Sequence, residues 1–388
     1  MKHAHQSASG YLDRPFRLRI TKNGCEFEEN VSPAKEDSLG SREEQLVLEQ
    51  RLKRWHDHAQ VSGFGDVREQ ITKMDHAVRK AKEIPASEFE VEPELLTRIA
   101  DLWDQNFFPN SGIRVEPYKI HLYGPGDHFI THRDTPQKDL VGTFLLGLGD
   151  TSYNGGLKVD GTTHPAREGR WCAFYPDVPH AVKAIPRGYR ATLAFKLFRT
   201  SDTEEETSTS SNVRQQVSQL LKTMEAPFGI LLQRKYCLGT THFSGFDALL
   251  LSSLRALTNV QVRHLPVVLR SYTAWERFDD GSSHCITTVY PFTEGHVNAL
   301  FDHMETDYRP KNHAECGAPW LDGVHGVPFF ALDLGQSLYT LEEEENETCN
   351  YTGNEAQAWR EDSVYLSYAL LVLPREDEAT KVEADAAQ

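Results

Sequence analysis

Between residues 114 and 199 the chain is written in short apolar and β-branched runs, each closed by glycine, proline or aspartate. That texture admits strands and excludes long helices. It predicts strands at VEPYKIHLY (115–123), VGTFLLGLG (141–149), GLKVD (156–160), WCAFYP (171–176), HAVKAI (180–185) and GYRATLAFKLF (188–198). This number of short strands is that of a sandwich or barrel.

The flanks read differently. Residues 1–40 are polar and broken by Pro15, Gly24, Pro33 and Gly40, so partial order at most is expected there. Ser41 and Glu44 form a capping-box pattern ahead of Leu48, Leu52 and Trp55 at helical spacing, which predicts a helix over 42–58. A second helix begins near Pro93, with Leu95, Leu96, Ile99 and Trp103 as its apolar face. Both helices are read as packing for a domain spanning 41–199. The acidic, Ser/Thr-rich SDTEEETSTSSN then reads as a linker over 200–212. Residues 213–375 alternate predicted helices (213–225, 246–257, 294–305) with predicted strands (VQVRHLPVVL, CITTVYPF, PFFALDL, VYLSYALLVL), an α+β region of unassigned role. A charged tail over 376–388 is expected to fray.

Several function classes are disfavoured by composition. With 388 residues and a formal charge of −16, and without a long Lys/Arg run, the chain lacks the basic surface that non-specific nucleic-acid binding needs. No apolar run is long enough to span a bilayer, and the N-terminus has no signal-like apolar segment. The expectation is therefore an intracellular protein, cytoplasmic or nuclear, with no membrane partner. The six cysteines are scattered without a C-x-x-C pair, as ordinary reduced thiols would be.

The chemistry is concentrated in YGPGDHFITHRDT (123–135). In an extended segment His132 and Asp134 point to the same face and Arg133 to the other, so an imidazole and a carboxylate converge. One more histidine would complete a two-histidine, one-carboxylate facial site for non-haem Fe(II). His180, in FYPDVPHAV, opens a predicted strand 48 residues later and is the strongest third donor. On the last predicted strand Arg190, Thr192 and Ala194 share a face, and a guanidinium fork on a rigid strand suits a carboxylate ligand. Other histidines have weaker claims. His303 and Glu305 repeat the spacing inside a helical pattern, where residues two apart diverge; the acidic run at 342–346 reads as a solvated loop; and Gly63 and Gly65 lack the strand that a dinucleotide fingerprint requires. His121 shares a strand face with Tyr123 and is a pocket-lining candidate.

Together these residues resemble the Fe(II)/2-oxoglutarate-dependent dioxygenases, in particular their prolyl 4-hydroxylase-like branch. The likeness runs over about 115–198 through Y-x-P-G-x-x-x-x-x-H-x-D, F-Y-P-x-x-x-H-x-V and G-x-R-x-T. It implies a double-stranded β-helix, or jelly-roll, core over about 90–199 within an α+β chain. It implies that His132, Asp134 and His180 are the catalytic iron ligands, that Arg190 with Thr192 anchors the distal carboxylate of 2-oxoglutarate, and that Tyr123 lies beside this cosubstrate. The implied reaction consumes O2, decarboxylates 2-oxoglutarate to succinate and hydroxylates a protein side chain or small molecule; ascorbate is an implied reductant. Collagen-type prolyl hydroxylases carry lysine where this chain has Arg190, which puts a proline substrate in question, and retention of Asp134 favours hydroxylation over halogenation. The C-terminal YTGNEAQAWREDSVYLSYALLVLP is similar to segments of uncharacterised proteins bearing such a domain. Two alternatives stand beside this reading: an inactive jelly-roll binding module, and a cupin-type metal enzyme that does not use 2-oxoglutarate. The prime substrate and the oligomeric state are open, and the loops around 124–131, 135–140 and 150–170 would select the substrate.

Overall fold

The computed structural model describes residues 6–34, 40–66, 71–107, 111–135, 137–153, 155–204, 208–237, 240, 242–275, 283–292, 326–331, 338–340, 351–352 and 364–375. The described residues up to 204 belong to one compact unit and those from 208 onward to a second.

In the first unit the chain runs through β1 (Ser7–Tyr11), β2 (Phe16–Ile20) and β3 (Phe27–Val31) to α1 (Arg42–His58). Short strands β4 (Gln60–Val61), β5 (Phe64–Asp66), β6 (Ile71–Lys73), β7 (Arg79–Lys80), β8 (Lys82–Pro85) and β9 (Phe89–Val91) lead to α2 (Pro93–Asn106). The body follows as β10 (Ser111–Tyr123), β11 (His128–His132), β12 (Leu140–Asp150), β13 (Gly156–Val159), β14 (Thr162–His164), β15 (Arg170–Phe174), β16 (His180–Lys183) and β17 (Arg190–Glu204). A seven-stranded sheet has the order β1-β15-β12-β17-β10-β8-β4, and a five-stranded sheet the order β14-β13-β16-β11-β7. From β10 to β17 the chain passes back and forth between these two sheets, with β13 and β14 forming a hairpin in the five-stranded one; every pairing is antiparallel, and the unit is a strand-rich core of jelly-roll type.

The two helices form where their signals stand. Ser41 and Glu44 make both halves of the capping box, and Leu52 and Trp55 are the buried positions of α1. Pro93 occupies the first turn of α2, whose Leu95, Ile99 and Trp103 are buried. Trp103 lies so close to β12 that a Cβ at Gly142 would stand 2.1 Å from its ring, so only glycine admits this helix.

Two expectations for this unit are corrected. Residues 1–40 are not merely polar filler: β1 extends the seven-stranded sheet through β15, and β2 pairs with β3 and β9. Phe16, Leu18 and Ile20 alternate inward with exposed Arg17 and Arg19, a two-residue period that the breaker count obscured. The jelly-roll core therefore begins well before residue 90. Nor is the stretch 200–212 an extended linker, because β17 continues to Glu204 and a helix starts at Ser208. Antiparallel pairing with β10, as far as Ser111 opposite Glu204, carries the strand past the point where its apolar content ends.

The second unit comprises α3 (Ser208–Leu221), β18 (Phe228–Cys237), α4 (Phe246–Arg255), β19 (Val260–Trp275), β20 (Ser283–Pro291), β21 (Pro328–Ala331), β22 (Leu338–Thr340), β23 (Tyr351–Thr352) and β24 (Val364–Pro374). Its sheet has the order β20-β19-β24-β18-β21-β22, with β23 on β24 and β18 parallel to β21. Leu265, Val267, Ala369 and Leu371 are at its centre. The helix predicted at 294–305, with His303 and Glu305, lies outside the described residues, as do the acidic run at 342–346 and the tail. Among the described residues no helix is long and apolar enough to cross a membrane.

Candidate active site

The site is built from a turn and a register. β10 ends at Tyr123, and Gly124–Asp127 reverses the chain with Asp127 N–H donating to the Gly124 carbonyl at 3.0 Å. Pro125 and Gly126 (φ 80°) occupy the central positions, as a type II turn demands. The buried Asp127 carboxylate also accepts from Gly124 N–H at 2.9 Å and bonds His56 Nε2 of α1 at 2.7 Å. Burial pushes its pKa up, but the bonds from His56 and Gly124 outweigh that and hold it below the usual carboxylate range. This clamp fixes where β11 departs. His56 lies 71 residues from Asp127 and gave no sequence signal.

Across the five-stranded sheet His132 of β11 is the register partner of His180 of β16, with ring centroids 4.1 Å apart. His132 Nδ1 bonds the Ile130 carbonyl at 2.8 Å, and His180 Nδ1 bonds the Val178 carbonyl at 2.9 Å. A carbonyl only accepts, so each Nδ1 carries a proton, and in the neutral ring Nε2 is the nitrogen that presents a lone pair. Burial, and then the neighbouring His180 ring, hold His132 well below the ordinary imidazole range. Asp134 Oδ1 is 3.9 Å from His180 Nε2, and Asp134 Oδ2 accepts from Thr143 Oγ1 at 2.6 Å. Phe129 stacks on the His132 ring at 3.5 Å. Imidazoles with oriented Nε2 atoms beside an anchored carboxylate are the donor chemistry of a divalent metal. Their spacing is looser than coordination: among the described residues no three His, Cys, Asp or Glu groups close on a single point.

The facing sheet supplies the cation. Register sets Tyr123 opposite Arg190, His121 opposite Thr192, and Thr143 opposite Lys196. A cavity of about 260 Å³ lies between the sheets, lined by His132, Asp134 and His180 on one side and by Tyr123, Arg190 and Thr192 on the other. Alternation along β17 puts Ala194 and Lys196 on the same wall. Arg190 is only 2% exposed, yet its Nε and Nη1 have no hydrogen-bond partner. Tyr175 packs edge-on against Trp103 and Phe107.

Sequence reasoning missed Arg79, Glu83 and Lys119, which also line this cavity. The signal that was available for Arg79 is its phase: buried Arg79 and Ala81 flank exposed Lys80.

No family model matches the chain, and no curated protein is similar to it. Among solved structures it is similar to a Pseudomonas putida prolyl-4-hydroxylase, at 15% identity over 48% of this chain and 94% of that one, with a TM-score of 0.28. It is similar to a 2OG-Fe(II) oxygenase-family oxidoreductase from Burkholderia pseudomallei, at 14% identity over 40% and 81%, TM-score 0.25. It is also similar to a Trichoplax adhaerens prolyl hydroxylase, at 16% identity over 48% and 84%, TM-score 0.28.

Proposed function

We propose that the first unit is an Fe(II)- and 2-oxoglutarate-dependent dioxygenase built on a double-stranded β-helix, hydroxylating a substrate that is a protein side chain or a small molecule. The observation that carries this reading is a buried guanidinium, Arg190, with no counter-ion among the described residues, in the same cavity as two imidazoles and a carboxylate. An unpaired buried cation costs several kcal/mol, and a carboxylate ligand on Arg190 would offset that cost. His132, Asp134 and His180 would hold the iron. When bound, the ion supplies oxygen activation coupled to decarboxylation of 2-oxoglutarate to succinate.

The chain's own part is positional. The Ile130 and Val178 carbonyls take the Nδ1 protons and so orient each ring with its Nε2 toward the cavity, and Thr143 restrains Asp134. Arg190 and Thr192 would take the distal carboxylate of the cosubstrate, with Tyr123 beside it, and the apolar walls formed by Phe129, Leu157 and Phe174 exclude water.

The test is anaerobic titration of the protein with Fe(II) and 2-oxoglutarate, following the visible charge-transfer absorption of the chelated cosubstrate. We expect a band in the wild type, none in His132→Ala, and at least a tenfold weaker 2-oxoglutarate affinity in Arg190→Ala. No band in the wild type would overturn the reading. A band indifferent to Arg190→Ala would overturn the anchor.

A further inference from the structure

The cavity holds a second buried guanidinium, and we propose that Arg79 binds an oxyanion of the prime substrate, a carboxylate or a phosphate. The inference rests on the oxygenase reading only in reserving Arg190 for 2-oxoglutarate.

Arg79 is 6% exposed and lines the same cavity as His132 and Arg190. Two of its groups are engaged by neutral partners: Nη1 donates to the Gly63 carbonyl at 2.8 Å, and Nη2 to His121 Nδ1 at 2.9 Å. Its Nε is buried with no partner, and among the described residues no carboxylate pairs with it. His121 cannot serve as its counter-ion, because a ring nitrogen that accepts from an arginine is uncharged. These two bonds hold the fork in place while leaving its charge unanswered.

The rest of the cavity deepens that imbalance. Its acids are Glu83 and Asp134, against Arg79, Lys119, Arg190 and Lys196. Glu83 is already taken by Lys119 at 2.7 Å, and Asp134 lies by the histidines. Among the described residues a chain of net charge −16 has thus gathered more cations than acids around one cavity, which concentrates anions there. With the distal carboxylate of 2-oxoglutarate held at Arg190, Arg79 stands as a second cation on the same cavity.

The position of Arg79 also bears on chemistry. Its guanidinium lies 4.6 Å from the Phe129 ring centroid, and that ring stacks on His132 at 3.5 Å. The cation is therefore within about 8 Å of the His132 ring. An oxyanion seated on Arg79 would put carbon atoms only a few bonds away beside the metal donors, so the class of substrate is a compact acid oxidised close to its charged group.

Calorimetric titration of the metal-free full-length protein with acetate, and separately with inorganic phosphate, at fixed ionic strength, tests this without turnover. Two anions should bind per chain, with Arg79→Met and Arg190→Met each leaving one. Arg79→Met should keep its 2-oxoglutarate charge-transfer band with affinity changed less than threefold. Tighter binding of phosphate than acetate at the Arg79-dependent site assigns a phosphate-bearing substrate, and the reverse a carboxylate. Arg79→Lys, which keeps the charge and loses the fork, should weaken that site about tenfold; it serves if Arg79→Met does not fold, and unchanged affinity in it would sink the proposal. A single site removed by Arg190→Met, or a 2-oxoglutarate affinity that collapses in Arg79→Met, would also overturn it. Absence of the band in the wild type alongside an intact Arg79-dependent site would instead remove the oxygenase reading and leave the anion site standing.

Discussion

Each unit buries a charged side chain at its centre, and the two are treated in opposite ways. In the second unit Asp247 is 0% exposed and fully served: Gln233 N–H donates to Oδ1 at 3.0 Å, and Arg234 N–H at 3.0 Å and Tyr236 O–H at 2.8 Å donate to Oδ2. It ties α4 to β18 and leaves nothing to bind. In the first unit Arg190 and Arg79 are nearly as buried, line an open cavity, and keep unpartnered N–H groups. A satisfied buried charge is structure; an unsatisfied one facing a cavity is a demand for a ligand.

That contrast predicts opposite responses to mutation. Asp247→Ala strands the buried Arg234 N–H, takes the acceptor from Gln233 N–H and leaves Tyr236 O–H only the Ser244 carbonyl, and should cost about 3–5 kcal/mol in denaturant unfolding of the second unit. Burial pushes the Asp247 carboxyl up to about 6, above its ordinary 3.8. The native state therefore holds a proton that the unfolded chain has released, and stability should fall as pH rises from about 4 to 6, by on the order of 3 kcal/mol. Unfolding of Asp247→Asn across those pH values should lack this slope; a slope that persists would assign it elsewhere. A smaller effect is expected at Thr143→Val, which removes the hydroxyl that restrains Asp134: Fe(II) affinity should weaken about 10- to 100-fold, read by equilibrium metal titration, with the fold unchanged. Last and opposite in sign, Arg190→Met should raise unfolding stability, by about 1–3 kcal/mol, because an unpaired buried cation is replaced by an apolar chain. A loss as large as that of Asp247→Ala would erase the distinction between the two units.

Much of the first unit was legible. Alternation gave β10, β12, β15 and β17 within a few residues, and cap chemistry gave both helices. The strand β11 was hidden because its five residues carry His128, Thr131 and His132, too polar for a hydrophobic pattern. β1 was hidden for a similar reason: SASGY has almost no apolar content and owes its strand to pairing with β15. In the site, His132 and Asp134 were readable from their two-residue spacing, and Arg190 with Thr192 from theirs. The clamp of His56 on Asp127 and the contact of Arg79 with His121 join residues 71 and 42 positions apart, and no local pattern reports such pairs.

The amino-acid sequence by itself determined which side chains share a face, because strand alternation and helix capping are local consequences of backbone geometry. It thereby offered His132 with Asp134, and Arg190 with Thr192, as local pairs, and His180 as a candidate third donor. Only the tertiary structure decided that His132 faces His180 across β11 and β16, that Arg190 stands opposite Tyr123, and that Arg79 joins them with no counter-ion among the described residues. Those are matters of register between distant strands, set by which faces the core must bury, and the charge balance of a cavity exists only once its walls have met.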